Sequence, residues 1–437
     1  MKYETWPFRP LGQRSIEETE QWWTHCYVPN AIEELLLDAP HWWIVTGGAG
    51  SGKSVALTAV ARREVGQSFI TPYPPHRWPG SEQAWLRDNP NHLAQMMAAV
   101  SIEMRHFLSQ HPEQLVKLTK LQQEFVRWLV ERAGGERTYR RWLHSLPPEI
   151  AEVYASVPQE DLFPSSDDPL DVDGQIDELI CLVQAFGLQR VLFTVDLNSQ
   201  ESLPYQEQAA NLFGWLGLMR HPGFVVVAAI PTPMLEHSDI LKRARGRVHV
   251  QHLKWGEAQC QEIANRHMQT AVGDSHITLS DFVDKRVLAK MTAVIQEEYQ
   301  GSVPVGWVAL AETILYLAQQ NSSFIDGVDL VIQQFYSRHF PLRLDLKAHG
   351  IWRGPNLIRL SDQPLSFLDL LYRRRGHPTN WDDDELRTLA GSKNNVHSIA
   401  RHTREKIEPV PTNPVYLLNK RGEGGYWLEN LETLREA

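Results

Sequence analysis

Apolar residues along this chain fall into two rhythms that alternate for about the first 250 positions. "HWWIVTG", "RVLFTVDLN" and "GFVVVAAIP" are short, nearly unbroken apolar runs, the mark of strands buried on both faces. "SFITPYPP" reads as a further strand broken by prolines. Between the runs, "KSVALTAVARREV", which stops near Gly66, "DELICLVQAFG", which stops at Gly187, and "AANLFGWLGLMR" carry helical spacing. The stretch 91–146 is helical throughout, and "SVPQEDLFPSSDDPLDVDG" is an acidic, proline-bearing surface loop. Strands separated by helices predict a parallel sheet covered on both faces. From 253 to 334 only helical spacing remains. From 342 the texture shifts to short strands, compact helices and a glycine-rich hairpin. The expected order is a tryptophan-rich lead-in packed on the core (1–30), an α/β core (31–250), a helical lid (251–337) and a small C-terminal domain (338–437). The last has its own apolar pattern and is expected to fold alone.

Composition narrows the function classes. The chain has 437 residues, 42% hydrophobic and 22% charged, as globular proteins do. Its formal net charge of −10 excludes a chain-wide attraction to nucleic acid or anionic membrane. Cys26, Cys181 and Cys260 form no CxxC pair, and none of the 18 histidines falls in an HExxH pattern, so reduced thiols and a cytoplasmic location are expected. The start lacks a signal-peptide core, and "FVVVAAI" is far shorter than the roughly 20 residues of a membrane span.

"GGAGSGKS" fits G-x-x-x-x-G-K-[ST] at every fixed position, between a strand and a helix. Gly47, Gly48, Ala49, Gly50, Ser51 and Gly52 let backbone N–H groups curl around phosphates, and the following helix adds its positive end. Lys53 reaches the β- and γ-phosphates of ATP, and the Ser54 hydroxyl ligates Mg²⁺. Asp196, ending "VLFTVD", is the candidate acid for the Mg²⁺ shell; an aspartate that merely caps a turn would read the same. Leu197 stands where many phosphate-loop ATPases carry a water-polarising glutamate; Glu201 in the following loop either substitutes for it or is solvated surface, and slow hydrolysis is the expectation. Thr232, at the tip of "VVVAAIPTP", either approaches the γ-phosphate or is an ordinary hydroxyl in a proline turn. Arg243, with Arg245 and Arg247, either reaches a phosphate in the same or a neighbouring subunit or forms a solvated basic face.

This order of motifs resembles the AAA+ ATPases and their STAND signalling relatives. "HLKWGEAQCQEIANRHM" is similar to the first lid helix of origin-recognition-type members. "GSVPVGWVALAETIL" resembles the STAND lid segment, which implies that Pro304 approaches the nucleotide base. The resemblance implies a P-loop NTPase sheet with a helical lid and a nucleotide-dependent homo-oligomer.

The segment from Ile351 resembles a winged helix of the OmpR/PhoB type: "DDDELRTLAG", then "SKNNVHSIARHTREKIEP", then the "VYLLNKRGEGGYWLEN" hairpin. Val396, Ile399, Thr403 and Ile407 share one face of the third helix. By position, Arg401, His402 and Arg404 face outward, with Lys393, Lys420 and Arg421 near DNA phosphates. Arg373, Arg374 and Arg375 either add to this surface or complement a helix dipole. From Arg338 onward sixteen Lys/Arg face thirteen Asp/Glu, a net of +3 against −13 for the remainder. So small an excess leaves a protein-docking winged helix open beside a DNA-binding one. The functional expectation is an ATP-held switch that couples nucleotide state to assembly and DNA binding. The alternatives are a signalling or defence scaffold and a DNA-remodelling or transposition ATPase.

Overall fold

Valine, isoleucine and phenylalanine suit a pleated surface covered on both sides, and they dominate the sheet. The computed structural model describes residues 6–8, 19–37, 42–73, 92–157, 172–197, 203–217, 221–246, 248–299, 301, 303–321, 324–374, 376–419 and 425–432. Five parallel strands, β1 (Trp42–Gly47), β2 (Ser68–Tyr73), β3 (Arg190–Asp196), β4 (Phe224–Pro231) and β5 (Val248–His252), lie in the order β2-β3-β4-β1-β5. Gly47 sits level with Pro231 and Asp196 with Ala229, so β1, β3 and β4 end at one edge of the sheet. In open parallel sheets ligands bind outside such carboxyl ends.

Alternate side chains serve different layers. Ile44, Phe193, Val195, Phe224 and Val226 join the large core beneath α4 (His92–Gln110), α5 (Lys120–Leu143), α7 (Val172–Ala185) and α8 (Leu203–Leu216). Val45, Leu192, Val225 and Val227 face the opposite way, against Ile32 and Leu36 of α2 (Ile32–Leu37) and Leu57 and Val60 of α3 (Lys53–Arg63). Pro72 does not break β2: the strand runs through it, paired with Thr194, while Pro74 and Pro75 lie outside the described residues. The strand lies at the sheet edge, where a residue without an N–H is tolerated. The opposite edge, β5, was not foreseen. Its sequence, VHVQH, is only partly buried and lacks the solid apolar run of its neighbours. Of the acidic 156–174 loop, 158–171 lie outside the described residues, and its expected end is already helical, since Val172 opens α7.

The lid is built from α11 (Glu257–Val272), α12 (Lys285–Tyr299), α13 (Pro304–Asn321) and α14 (Val328–His339). The chain then forms an antiparallel sheet of β6 (Leu342–Asp345), β7 (Gly350–Arg353) and β8 (Asn356–Arg359). Helices α15 (Asp362–Arg374), α16 (Asp384–Ala390) and α17 (Lys393–Ile407) follow, closed by the hairpin β9 (Leu417–Asn419) and β10 (Tyr426–Leu428), a winged-helix arrangement. The expected boundary at 337/338 falls inside one continuous core. Trp307 and Phe335 of the lid pack in the same cluster as Phe340, Ile351, Phe367, Ile399 and Tyr416. The Tyr416 hydroxyl donates to the Phe340 carbonyl (2.8 Å), and Asn430 Nδ2 donates to the Tyr336 carbonyl (3.0 Å).

The N-terminal lead-in packs on the core as expected, and on the lid besides. Glu20 of α1 (Glu20–His25) accepts from Arg62 on α3 (2.7 Å). The Trp22 indole N–H donates to Nε2 of His267 on α11 (3.2 Å). With Nε2 accepting, Nδ1 carries the proton and donates to the Ile263 carbonyl (2.8 Å), which fixes a neutral ring. Burial lowers the His267 pKa to about 4. A depressed histidine pKa gives stability that is complete above about 6.5 and is lost as pH falls toward 4, at most about 3 kcal/mol. Thermal melts from pH 7 to pH 4 should therefore fall less steeply for His267→Gln than for wild type.

Candidate functional site

The loop joining β1 to α3 owes its path to two glycines in the left-handed region, Gly50 (φ 70°) and Gly52 (φ 88°). A side chain at Gly47 would meet Ser51 Oγ at 2.6 Å, so the loop closes tightly on itself. Gly48, Ala49 and Gly50 are exposed, while Lys53 and Ser54 open α3 in half-buried positions. Lys53 Nζ donates to the carbonyls of Gly47 (3.1 Å) and Gly48 (2.8 Å), directly over the loop. Burial lowers the pKa of its ammonium, and the nearby Asp196 carboxylate opposes that shift. The Ser51 hydroxyl is buried with no hydrogen-bond partner among the described residues. A cation, a curled backbone, an orphaned hydroxyl and a strand-end carboxylate form a donor set that fits a Mg²⁺-bound nucleotide triphosphate.

The neighbours of the loop fall where the sequence placed them in some cases only. Thr232 begins α9 (Thr232–His237) beyond β4, and its hydroxyl bonds that of Thr46 (3.1 Å), one residue before Gly47. Leu197, after Asp196, is buried and its N–H donates to the Ala229 carbonyl (3.0 Å), so no acid occupies that place. Glu201 and Arg247 lie outside the described residues. Arg243, at the end of α10 (Ile240–Arg243), is exposed and packs on α8, where its guanidinium donates to the Asn211 side chain. Arg245 is exposed as well. Within this chain, then, Arg243 is engaged with a helix rather than with the loop.

Among the described residues the lid approaches the loop at Val305, Trp255 and Tyr299, none of which the sequence singled out. Pro304 opens α13, and Val305 after it sits so close that a side chain on Gly50 would meet its Cγ1 at 2.0 Å. The Trp255 indole N–H donates to the Ser51 carbonyl (2.7 Å), with its ring 3.8 Å from where a Gly52 side chain would begin. The Tyr299 carbonyl, at the end of α12, is 3.9 Å from the corresponding point on Gly48. The legible signal for Trp255 was an aromatic residue at the junction between sheet and lid.

At the other end of the chain, Gly391 (φ 68°) stops α16 and Ser392 caps α17, which makes a short helix-turn-helix. Val396, Ile399, Ala400, Thr403 and Ile407 are buried, and Thr403 Oγ1 donates to the Ile399 carbonyl (2.8 Å). That bond satisfies a hydroxyl in an apolar core. Lys393, Arg401 and His402 are exposed, and Arg401 lies 3.7 Å from Glu405. Arg404 departs from the outward position expected of it. It is half-buried, and its Nε donates to the Leu417 carbonyl of β9 (2.9 Å), so it braces the hairpin. Arg373 and Arg374 pair with Glu385 and Asp383 and so tie α15 to the start of α16. Lys420, Arg421 and Arg375 lie outside the described residues.

Past α17 the buried Glu408 carboxylate accepts the N–H groups of Val415 (2.7 Å), Tyr416 (3.0 Å) and Leu417 (2.6 Å). Burial raises its pKa, and the three donors work against the shift. It fixes the hairpin to the end of α17.

Among the described residues no helix is long and apolar enough to cross a membrane, and no cluster of His, Cys, Asp or Glu could by itself hold a metal ion. No protein-family model and no curated protein matches the chain. Among solved structures it is similar to the ORC1 protein of Aeropyrum pernix, determined in complex with DNA. The two are 10% identical, the match covers 93% of this chain and 90% of that one, and the TM-score is 0.36.

Proposed function

We propose that the chain is an ATP- and Mg²⁺-binding switch of the AAA+/STAND kind whose nucleotide state controls its assembly and its binding of DNA through an OmpR/PhoB-like winged helix. One observation carries this reading: the lid rests on the phosphate loop itself, through Val305 against Gly50 and Trp255 against Ser51. A ligand that fills the loop therefore acts directly on the position of the lid. Lys53 and the backbone of Gly47, Gly48, Ala49, Gly50, Ser51 and Gly52 bind phosphate, Ser54 and Asp196 hold Mg²⁺, and Pro304 faces the base. Thr232 lies near the γ-phosphate, Glu201 is the candidate for orienting water, and Arg243 serves a neighbouring copy in a homo-oligomer. With Leu197 beside Asp196, hydrolysis is slow and the nucleotide acts as a state marker, in a cytoplasmic setting.

The exposed face of α17 supports DNA as the partner, with Lys393, Arg401 and His402 outward and Lys420 and Arg421 in the adjoining hairpin segment. Binding is expected at low salt, stronger with ATP than with ADP, and weakened by Arg401→Glu. If Arg401 contacts a phosphate, Arg401→Ala should lower the log–log salt slope by about 0.9; a base contact instead costs about 1–3 kcal/mol at the preferred sequence. Fluorescence anisotropy across a salt series reads both quantities. The second reading, a protein-docking winged helix, is favoured by the C-terminal net charge of only +3 and by the internal use of Arg404. Indifference of the ATP-bound chain to DNA at low salt would select it.

A further inference from the structure

Between the lid and the C-terminal domain lies a buried polar cluster that the nucleotide and DNA readings leave unused. Glu298, at 3% exposure, accepts from the Tyr336 hydroxyl (2.6 Å), Arg353 Nη2 (2.5 Å) and Asn356 Nδ2 (2.7 Å). Asn356 Nδ2 also donates to the Glu298 backbone carbonyl (2.8 Å). A buried carboxylate is tolerated only when paired and fully hydrogen-bonded, so this cluster holds one geometry.

The two ends of the cluster differ in address. Glu298 immediately precedes Tyr299, whose carbonyl lies 3.9 Å from where a side chain on Gly48 would begin, and the N–H of Val305, at the start of α13, donates to the Gly50 carbonyl (3.4 Å). Arg353 ends β7, and its Nη1 donates to the Ile407 carbonyl (2.9 Å), the last residue of α17. The cluster thus stands between the end of α12, beside the phosphate loop, and the end of the helix that presents Arg401.

We propose that Glu298 and Arg353 are positioning residues that transmit the nucleotide state of the phosphate loop to α17. This rests on the nucleotide reading above. A packed apolar contact tolerates small slides, whereas the planar Arg353 guanidinium bonds Glu298 through Nη2 and the Ile407 carbonyl through Nη1, and two charge-assisted bonds from one rigid group set both distance and angle. The pair therefore keeps α17 in register with the lid when a nucleotide moves it. Loss of this two-armed bridge leaves the surrounding apolar core to hold the domains together, with a looser register.

Amide hydrogen exchange on the full chain, with and without ATP·Mg²⁺, tests this at two places. In wild type, protection should change both at the phosphate loop, 47–60, and at 393–417. In Arg353→Met the change at 47–60 should persist, while that at 393–417 should drop to about a third or less, as expected when a coupling free energy is removed. Arg353→Lys, which keeps the charge without the planar two-armed group, should restore part of the signal. Glu298→Gln is nearly isosteric and should lose it too, which covers the case in which Arg353→Met does not fold. A full-sized response at 393–417 in Glu298→Gln or in folded Arg353→Met would overturn the proposal. So would a wild-type response confined to 47–60. No response at 47–60, together with no calorimetric ATP binding by wild type, would instead remove the nucleotide reading and the link with it.

Discussion

Lys53→Ala is expected to abolish tight ATP binding while leaving the fold in place. Hydrogen bonds to charged groups contribute about 1.5–3 kcal/mol each, so losing one such phosphate contact weakens binding roughly 10- to 100-fold. The loss should fall on binding more than on folding, because Lys53 Nζ donates to the Gly47 and Gly48 carbonyls of the loop itself rather than to another layer of the core. Calorimetric titration of ATP·Mg²⁺ with a parallel melting curve separates the two effects. Equal affinity in mutant and wild type would take the loop out of the binding site.

A second large effect belongs to Glu408, at the opposite pole of the molecule. Glu408→Ala removes the acceptor shared by three backbone N–H groups between Val415 and Leu417, which are buried with it. An unsatisfied buried donor costs about 1–3 kcal/mol, so the variant should lose about 3 kcal/mol or more if all three stay unpaired, and less where water reaches one of them. Because the clip holds the hairpin against the end of α17, DNA or partner binding should fail along with stability. Glu408→Gln keeps a single acceptor oxygen and should fall between the two. Chemical denaturation followed by tryptophan fluorescence measures the series, and an unchanged midpoint for Glu408→Ala would show that the hairpin is held by apolar packing alone.

How much of this was legible in the sequence depended on how local the controlling physics is. The phosphate loop, the β3 and β4 runs and the buried face of α17 are governed by spacing within a few residues. For that reason Lys53, Asp196, Val396 and Ile407 could be placed from the chain alone. Strand β5 escaped because an edge strand needs no solid apolar run, and Pro72 read as a break because its edge position is a tertiary fact. Arg404 lay beyond reach for a related reason. Helical periodicity puts it near the surface, but only the hairpin's return past the helix supplies the Leu417 carbonyl that draws it inward. Trp255, Val305 and Glu298 matter through neighbours far away along the chain, and no local rule marks such residues.

The apolar core that runs without interruption from α11 through Tyr416 to Leu428 has a thermodynamic consequence. Elements that share one core lose their packing together, and all-or-none melting follows the core rather than the sequence boundary. Lid and winged helix should therefore melt in a single cooperative step, apart from the sheet with its own two clusters. A calorimetric trace should resolve at most two such units, where the texture of the sequence suggested three.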